Sequence, residues 1–144
     1  PRTEALVYAA DRAEHLDALI RPALTVGSIV ISDRYVDSTL AYQGAGRSLD
    51  TRDLEQLAHI ATGGLRPHLT VVLDIDPVEG LARAGDHDRI EAEPLDFHQR
   101  VREQFLALAA ADPERYLVVS ATDDPDVNAA VVAGARRRHL VWAL

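Results

Sequence analysis

Cysteine and lysine are both missing from these 144 residues. Without cysteine there is no disulfide, no thiolate metal site and no cysteine nucleophile. Without lysine, all 15 basic residues are arginine, and a Schiff-base lysine, a catalytic lysine and a phosphate-loop lysine are each excluded within this sequence. The six histidines, at 15, 59, 68, 87, 98 and 139, fall without ligand spacing, and no HExxH or paired-histidine pattern occurs. No zinc site is expected. No apolar run approaches the roughly 20 residues that span a bilayer, and no signal-peptide pattern opens the sequence. These features predict a soluble, cytoplasmic protein with no membrane partner.

What the sequence does contain is enough apolar material, 47% of residues, to bury the core of one domain. A disordered or low-complexity reading is excluded. The net charge of −8 opposes non-specific binding to nucleic acid or anionic membranes, because a polyanion is repelled at long range. A few clustered arginines can still hold a small phosphorylated ligand. There is no internal repeat and no long linker.

Helical and strand-like segments alternate, which predicts an α/β layer fold with a mainly parallel sheet. A first helix is expected from a Thr3 cap to about Ile20, with Leu6, Ala10, Ala13, Leu16 and Ile20 on one stripe. Pro22 should break or kink it, and Gly27 should end the following turn. Residues 28–31 form a continuous apolar run that suits a strand buried on both faces. A helix over 37–42, a flexible stretch over 44–47, and a helix over 51–62 stopped by Gly63-Gly64 follow. Leu54, Leu57, Ala58 and Ala61 face inward on the last of these. A second buried strand is expected over 69–75, a short helix over 78–84 and a polar loop over 85–93. Pro94 suits the first turn of a long helix with Phe97, Val101, Phe105 and Leu108 inward, ended by Asp112-Pro113. A strand over 116–120 and a helix over 126–139 complete the order.

In open α/β sheets, ligands bind beyond the carboxyl ends of the strands. That rule selects Asp33-Arg34-Tyr35 and residues 74–76. An arginine beside a strand-end aspartate can grip a phosphate bidentately, while the aspartate holds a magnesium-bound water. The same pair could equally cap the next helix and bond to each other. Position alone leaves the two readings open.

The wider pattern resembles the thymidylate kinases. The resemblance is carried by Tyr8-Ala9-Ala10-Asp11-Arg12, then Asp33-Arg34-Tyr35-Val36-Asp37-Ser38-Thr39-Leu40-Ala41-Tyr42-Gln43-Gly44. It continues through Gly64-Leu65-Arg66-Pro67, Leu73-Asp74-Ile75-Asp76-Pro77, Asp88-Arg89-Ile90-Glu91, Asp96-Phe97-His98, Arg100-Val101 and Asp112-Pro113-Glu114-Arg115-Tyr116, to about residue 122. It implies a P-loop-kinase-like three-layer α/β fold, a parallel sheet flanked by helices, of which this chain holds the C-terminal portion without the first strand and the P-loop. It also implies transfer of the ATP γ-phosphate to dTMP, giving dTDP, with Mg2+ as cofactor and a homodimer as the assembly. Nucleic acid is not an implied partner.

By the same resemblance Arg34 holds the acceptor phosphate, Asp33 organises Mg2+ through water, Tyr8 stacks on thymine and Arg12 reaches a base carbonyl. Thr39 contacts the base, Tyr42 closes on the sugar and discriminates against a 2′-hydroxyl, and Tyr35 and Gln43 lie beside them. Residues 82–93 match the lid over the ATP phosphates, with Arg83 and Arg89 as its basic residues. Read singly, Tyr8 is also an ordinary helix-face aromatic, Arg12 a solvated charge, Thr39 a helix threonine bonded to its own backbone, Tyr42 a packing residue and the lid a surface loop. Full-length family members open with a strand, a glycine-rich loop and a lysine. None of these is in the sequence, so the chain alone is expected to be poorly stable and poorly active. A non-catalytic nucleotide- or partner-binding fragment and a deoxynucleoside kinase are the alternative readings. Arg136-Arg137-Arg138 complement a helix dipole, and residues 140–144 do not resemble the family.

Overall fold

A computed structural model describes residues 1–47, 49–84 and 90–140. The chain divides into two compact units, Pro1–Arg66 and Pro67–Leu144.

In the first unit α1 spans Arg2–His15. Pro1 contributes its carbonyl to the Ala5 N–H at 3.0 Å, so the helix starts ahead of Thr3, which lies inside the first turn rather than capping it. A π-helical turn over Leu16–Ile20 leads directly into α2, Arg21–Thr25. Pro22 has no N–H to offer the preceding turn. The widened turn, in which the Arg21 N–H reaches Leu16 O, absorbs it, and the helix continues where a break was expected. Gly27, at φ +78°, ends it. The buried stripe is Ala5, Ala9, Leu16 and Ile20, while Leu6 is 51% exposed. The predicted stripe was therefore one position out at its start. The small alanines let α1 lie close against α4, Thr51–Thr62.

Residues 28–31 belong to no sheet among the described residues, and Ile31 is exposed. An apolar β-branched run becomes a strand only where a second backbone completes its hydrogen bonds. The expected first strand is thus absent. Helix α3, Val36–Thr39, passes straight into a π-helical stretch, Leu40–Gly46. The element is longer than predicted, and Gly44 is buried rather than part of a flexible stretch. A Cβ at Gly44 would lie 3.4 Å from Leu54 Cδ1. Helix α4 begins where Asp50 accepts the Arg52 N–H at 2.8 Å and stops at Gly63, φ +56°, as its sequence predicts.

In the second unit β1, Thr70–Asp74, pairs in parallel with β2, Tyr116–Ser120. Between them lie α5, Pro77–Ala84, and α6, Leu95–Ala111; α7, Pro125–Leu140, follows β2. Pro94 caps α6 instead of entering its first turn. Phe97, Val101 and Ala109 of α6 are buried with Tyr116, Val119 and Ala135. Leu73 remains 62% exposed and the other residues of β1 are half-buried, so β1 is not the fully buried strand expected over 69–75. Residues 85–89 of the expected polar loop and residues 141–144 lie outside the described residues.

Candidate functional site

Two segments of the first unit converge. From α1, Arg12 Nη1 donates to Thr39 Oγ1 and Nη2 to the Tyr35 carbonyl, both at 3.1 Å. The guanidinium also lies 5.6 Å from the Tyr35 ring centroid, in cation–π range. Thr39 is buried, so its hydroxyl depends on this contact. Burial pulls the Arg12 guanidinium below its usual value, against the opposing pull of Tyr35, Asp11 and Asp37. A guanidinium has five N–H donors in a planar fork, and these two bonds fix its plane while leaving N–H groups for a ligand. The ordinary reading of Arg12 as a solvated charge does not describe this residue.

Arg34 sits at φ +68°, the single positive-φ residue other than glycine among the described residues. Such a conformation is costly for a side chain with a Cβ and marks sites where surrounding contacts hold the backbone. Ser32 Oγ donates to the Arg34 carbonyl at 2.9 Å, bracing the turn. The Arg34 guanidinium lies 5.0 Å from the Tyr42 ring centroid. Burial pulls its pKa down, but neighbouring Tyr42, and then Asp33 and Tyr8, outweigh this and push it up. Arg34 and Tyr42 are thereby held together, with Tyr8 38% exposed and Asp33, next to Arg34 in the chain, exposed. Tyr35 points the other way: its hydroxyl donates to Leu65 O at 3.2 Å, and burial raises its pKa despite the pull of Arg12. This bond ties the segment to the stretch just after α4.

Gln43 is 3% exposed and donates from Nε2 to Glu4 Oε1 at 2.8 Å. Glu4 escaped the sequence reading, although it stands one helical turn before Tyr8, and Arg12 one turn after. That spacing of four and four was the available signal. Asp37, buried in the first turn of α3, was also missed as part of the negative surroundings of Arg12.

The second unit carries the remaining candidates. Arg83, on the last turn of α5, donates to Glu79 Oε1 at 2.6 Å and to Ala121 O at 3.1 Å. Arg89 lies outside the described residues, and so does the centre of the 82–93 segment. At the end of β1, Arg102 grips Asp74 through two bonds of 2.7 and 2.9 Å and stands 3.6 Å from Asp76. The hydrogen bond from Arg102 holds the Asp74 carboxyl below its usual range. The strand-end aspartate selected from the sequence is thus engaged by an arginine on α6 that the sequence reading passed over.

For Mg2+, no group of three or more histidine or acidic side chains among the described residues could hold a metal ion directly. Asp33 is a single exposed carboxylate next to Arg34 in the chain. That suits Mg2+, which keeps most of its waters and takes one or two carboxylates together with substrate phosphates.

The chain is similar to known proteins along most of its length. The family model for thymidylate kinase matches residues 1–131. The thymidylate kinase of Synechococcus sp. (strain JA-2-3B'a(2-13)) is 57% identical over 125 residues, covering 87% of this chain and 61% of the relative. That of Cutibacterium acnes is 57% identical over 120 residues, covering 83% of this chain and 59% of the relative. The chain therefore spans about three-fifths of the length of these relatives. Among solved structures, thymidylate kinase from Ehrlichia chaffeensis is similar with a TM-score of 0.65 and 33% identity, covering 81% of this chain and 57% of that one. Mixed helix and strand with a parallel sheet is accordingly a P-loop-kinase-like fold, and the chain belongs to the thymidylate kinase family.

Proposed function

We propose that this chain provides the acceptor side of a dTMP kinase, which transfers the γ-phosphoryl group of ATP to dTMP and releases dTDP. The observation that carries the reading is the pair of hydrogen bonds that Arg12 donates to Thr39 Oγ1 and to the Tyr35 carbonyl. It brings the helix that bears Tyr8 against the segment that bears Arg34 and Tyr42. In this reading Tyr8 stacks on thymine, Arg12 and Thr39 meet its polar edge, and Tyr42, with Gln43 and Tyr35 behind it, closes on the deoxyribose. Arg34 grips the acceptor phosphate.

Phosphoryl transfer leaves little covalent work to the protein; positioning and charge stabilisation supply most of the rate. Arg34 would hold the acceptor oxygen in line and neutralise the charge that the two phosphates bring together. Mg2+, bound with ATP, supplies further neutralisation, and Asp33 would reach it through water. Arg83 and Arg89 of residues 82–93, which match the family's lid, would add charge on the donor side. These 144 residues hold no lysine to grip the ATP phosphates, and the isolated chain should turn over poorly. Residues 1–144 are read as part of a single kinase domain acting in the cytoplasm as a homodimer. No helix among the described residues is long and apolar enough to cross a membrane.

Calorimetric titration separates the readings. The purified chain should bind dTMP saturably, thymidine at least tenfold more weakly for want of the phosphate contact (about 1.4 kcal/mol for a charge-assisted bond), and ATP poorly. Thymidine bound as well as dTMP would overturn the proposal in favour of a nucleoside site, and absence of dTMP binding would overturn it outright.

A further inference from the structure

Glu4, Tyr8 and Arg12 recur every four residues along α1 and so lie on one face of the helix. The two outer members are both tied to the same neighbouring element, in opposite order. Arg12 holds its beginning, through Tyr35 O and Thr39. Glu4 holds its end, where it accepts from Gln43 Nε2 at 2.8 Å and lies 3.8 Å from Arg47 Nε. The Glu4 and Arg47 side chains are 14% and 19% exposed, and Gln43 is 3% exposed. This is a sheltered, charge-assisted contact of the kind that fixes geometry. Between the ties Tyr8 stays partly open to solvent, and Tyr42, the residue before Gln43, lies against Arg34.

We infer that Glu4 is a positioning residue which, through Gln43 and Arg47, sets the distance between Tyr8 and Tyr42 and so how closely Tyr42 sits against the sugar of a nucleotide whose base stacks on Tyr8. Gln43 acts in this arrangement as the arm of that tie, with its amide turned to Glu4. The inference rests on the acceptor-site reading above and deepens it. The stretch that Glu4 holds is π-helical, Leu40–Gly46. A π turn is an uncommon departure from the α-helix, frequent at functional positions, and in this arrangement the side-chain tie at its end holds Tyr42 in place.

The test is binding of dTMP and of its ribo counterpart, ribothymidine monophosphate, to the purified chain and three variants, with a urea melt of each. Glu4→Ala should weaken dTMP binding about tenfold, as expected for loss of a charge-assisted hydrogen bond, and weaken the ribo nucleotide less, so that the preference for the deoxy sugar narrows. Gln43→Glu, which sets two carboxylates against each other, should do the same. The combined Glu4→Gln/Gln43→Glu variant, which restores an amide-to-carboxylate bond with its direction reversed, should recover the preference. An unchanged deoxy preference in Glu4→Ala would overturn the inference. So would failure of the combined variant to recover it while its urea midpoint returns to the parent value, since Gln43 would then be touching the nucleotide itself. If the parent chain binds no dTMP, the acceptor-site reading falls first and this inference with it.

Discussion

At the scale of single residues, the site is defined by two arginines held in different ways. Arg12 is held by side-chain bonds. Replacing it with alanine removes the partner of the buried Thr39 hydroxyl, and should cost about 1–3 kcal/mol of stability, the usual penalty for a stranded buried polar group. In a binding titration dTMP affinity should fall at least tenfold. Arg34 is held by its backbone, at φ +68°. Comparing Arg34→Gly with Arg34→Ala isolates that strain. Both should lose dTMP binding, but the glycine variant should be the more stable by about 1 kcal/mol in urea melts, because only glycine adopts this conformation without steric cost. The aspartate-arginine-tyrosine run and the aromatic-to-arginine spacing were visible as letters. The positive φ was not, since nothing in the three residues themselves demands it; it comes from the turn braced by Ser32.

At the scale of elements, the sequence was most legible where local chemistry decides the outcome. Helix α4 runs from an aspartate cap to a left-handed glycine, and β2 spans the expected residues, because caps, breakers and β-branched runs act over a few positions. It was least legible where a neighbour decides. Residues 28–31 carry the composition of a strand but no partner to complete it among the described residues. Pro22, read as a breaker, is accommodated by a π turn. Gly44 and Gly46, read as flexible, sit buried within a helix, where Gly44 serves close packing against Leu54. A test of that packing is Gly44→Val. Its added carbons would meet Leu54 and should cost about 1–3 kcal/mol, typical of overfilling a packed site, with dTMP binding weakened in parallel because the same element carries Thr39 and Tyr42.

At the scale of the whole molecule, charge organises the chain more than its net value suggests. The total is −8, yet the arginines that matter are each matched locally: Arg12 with Thr39 and Tyr35, Arg34 with Tyr42 and Asp33, Arg102 with Asp74. The last pair gives a pH prediction. The Asp74 carboxyl is held below its usual range by Arg102, so its contribution is fully present above the ordinary aspartate value of about 3.9. It fades as pH falls through the lower native value. Thermal melts between neutral and acid pH should show Asp74→Asn to be less stable than the parent at neutral pH, with the gap closing at the acid end. A constant gap across the series would show that Asp74 contributes by packing alone.

The central claim is that dTMP lies between α1 and the segment from Tyr35 to Gly46. The measurement that tests it most directly is a nuclear magnetic resonance titration of the isotope-labelled chain with dTMP. Saturable shifts should concentrate at Tyr8, Arg12, Arg34, Thr39 and Tyr42, with Asp74 and Arg102 unmoved. Shifts centred anywhere else, or none at millimolar nucleotide (roughly the weakest affinity, near −4 kcal/mol, that still counts as a site), would contradict it.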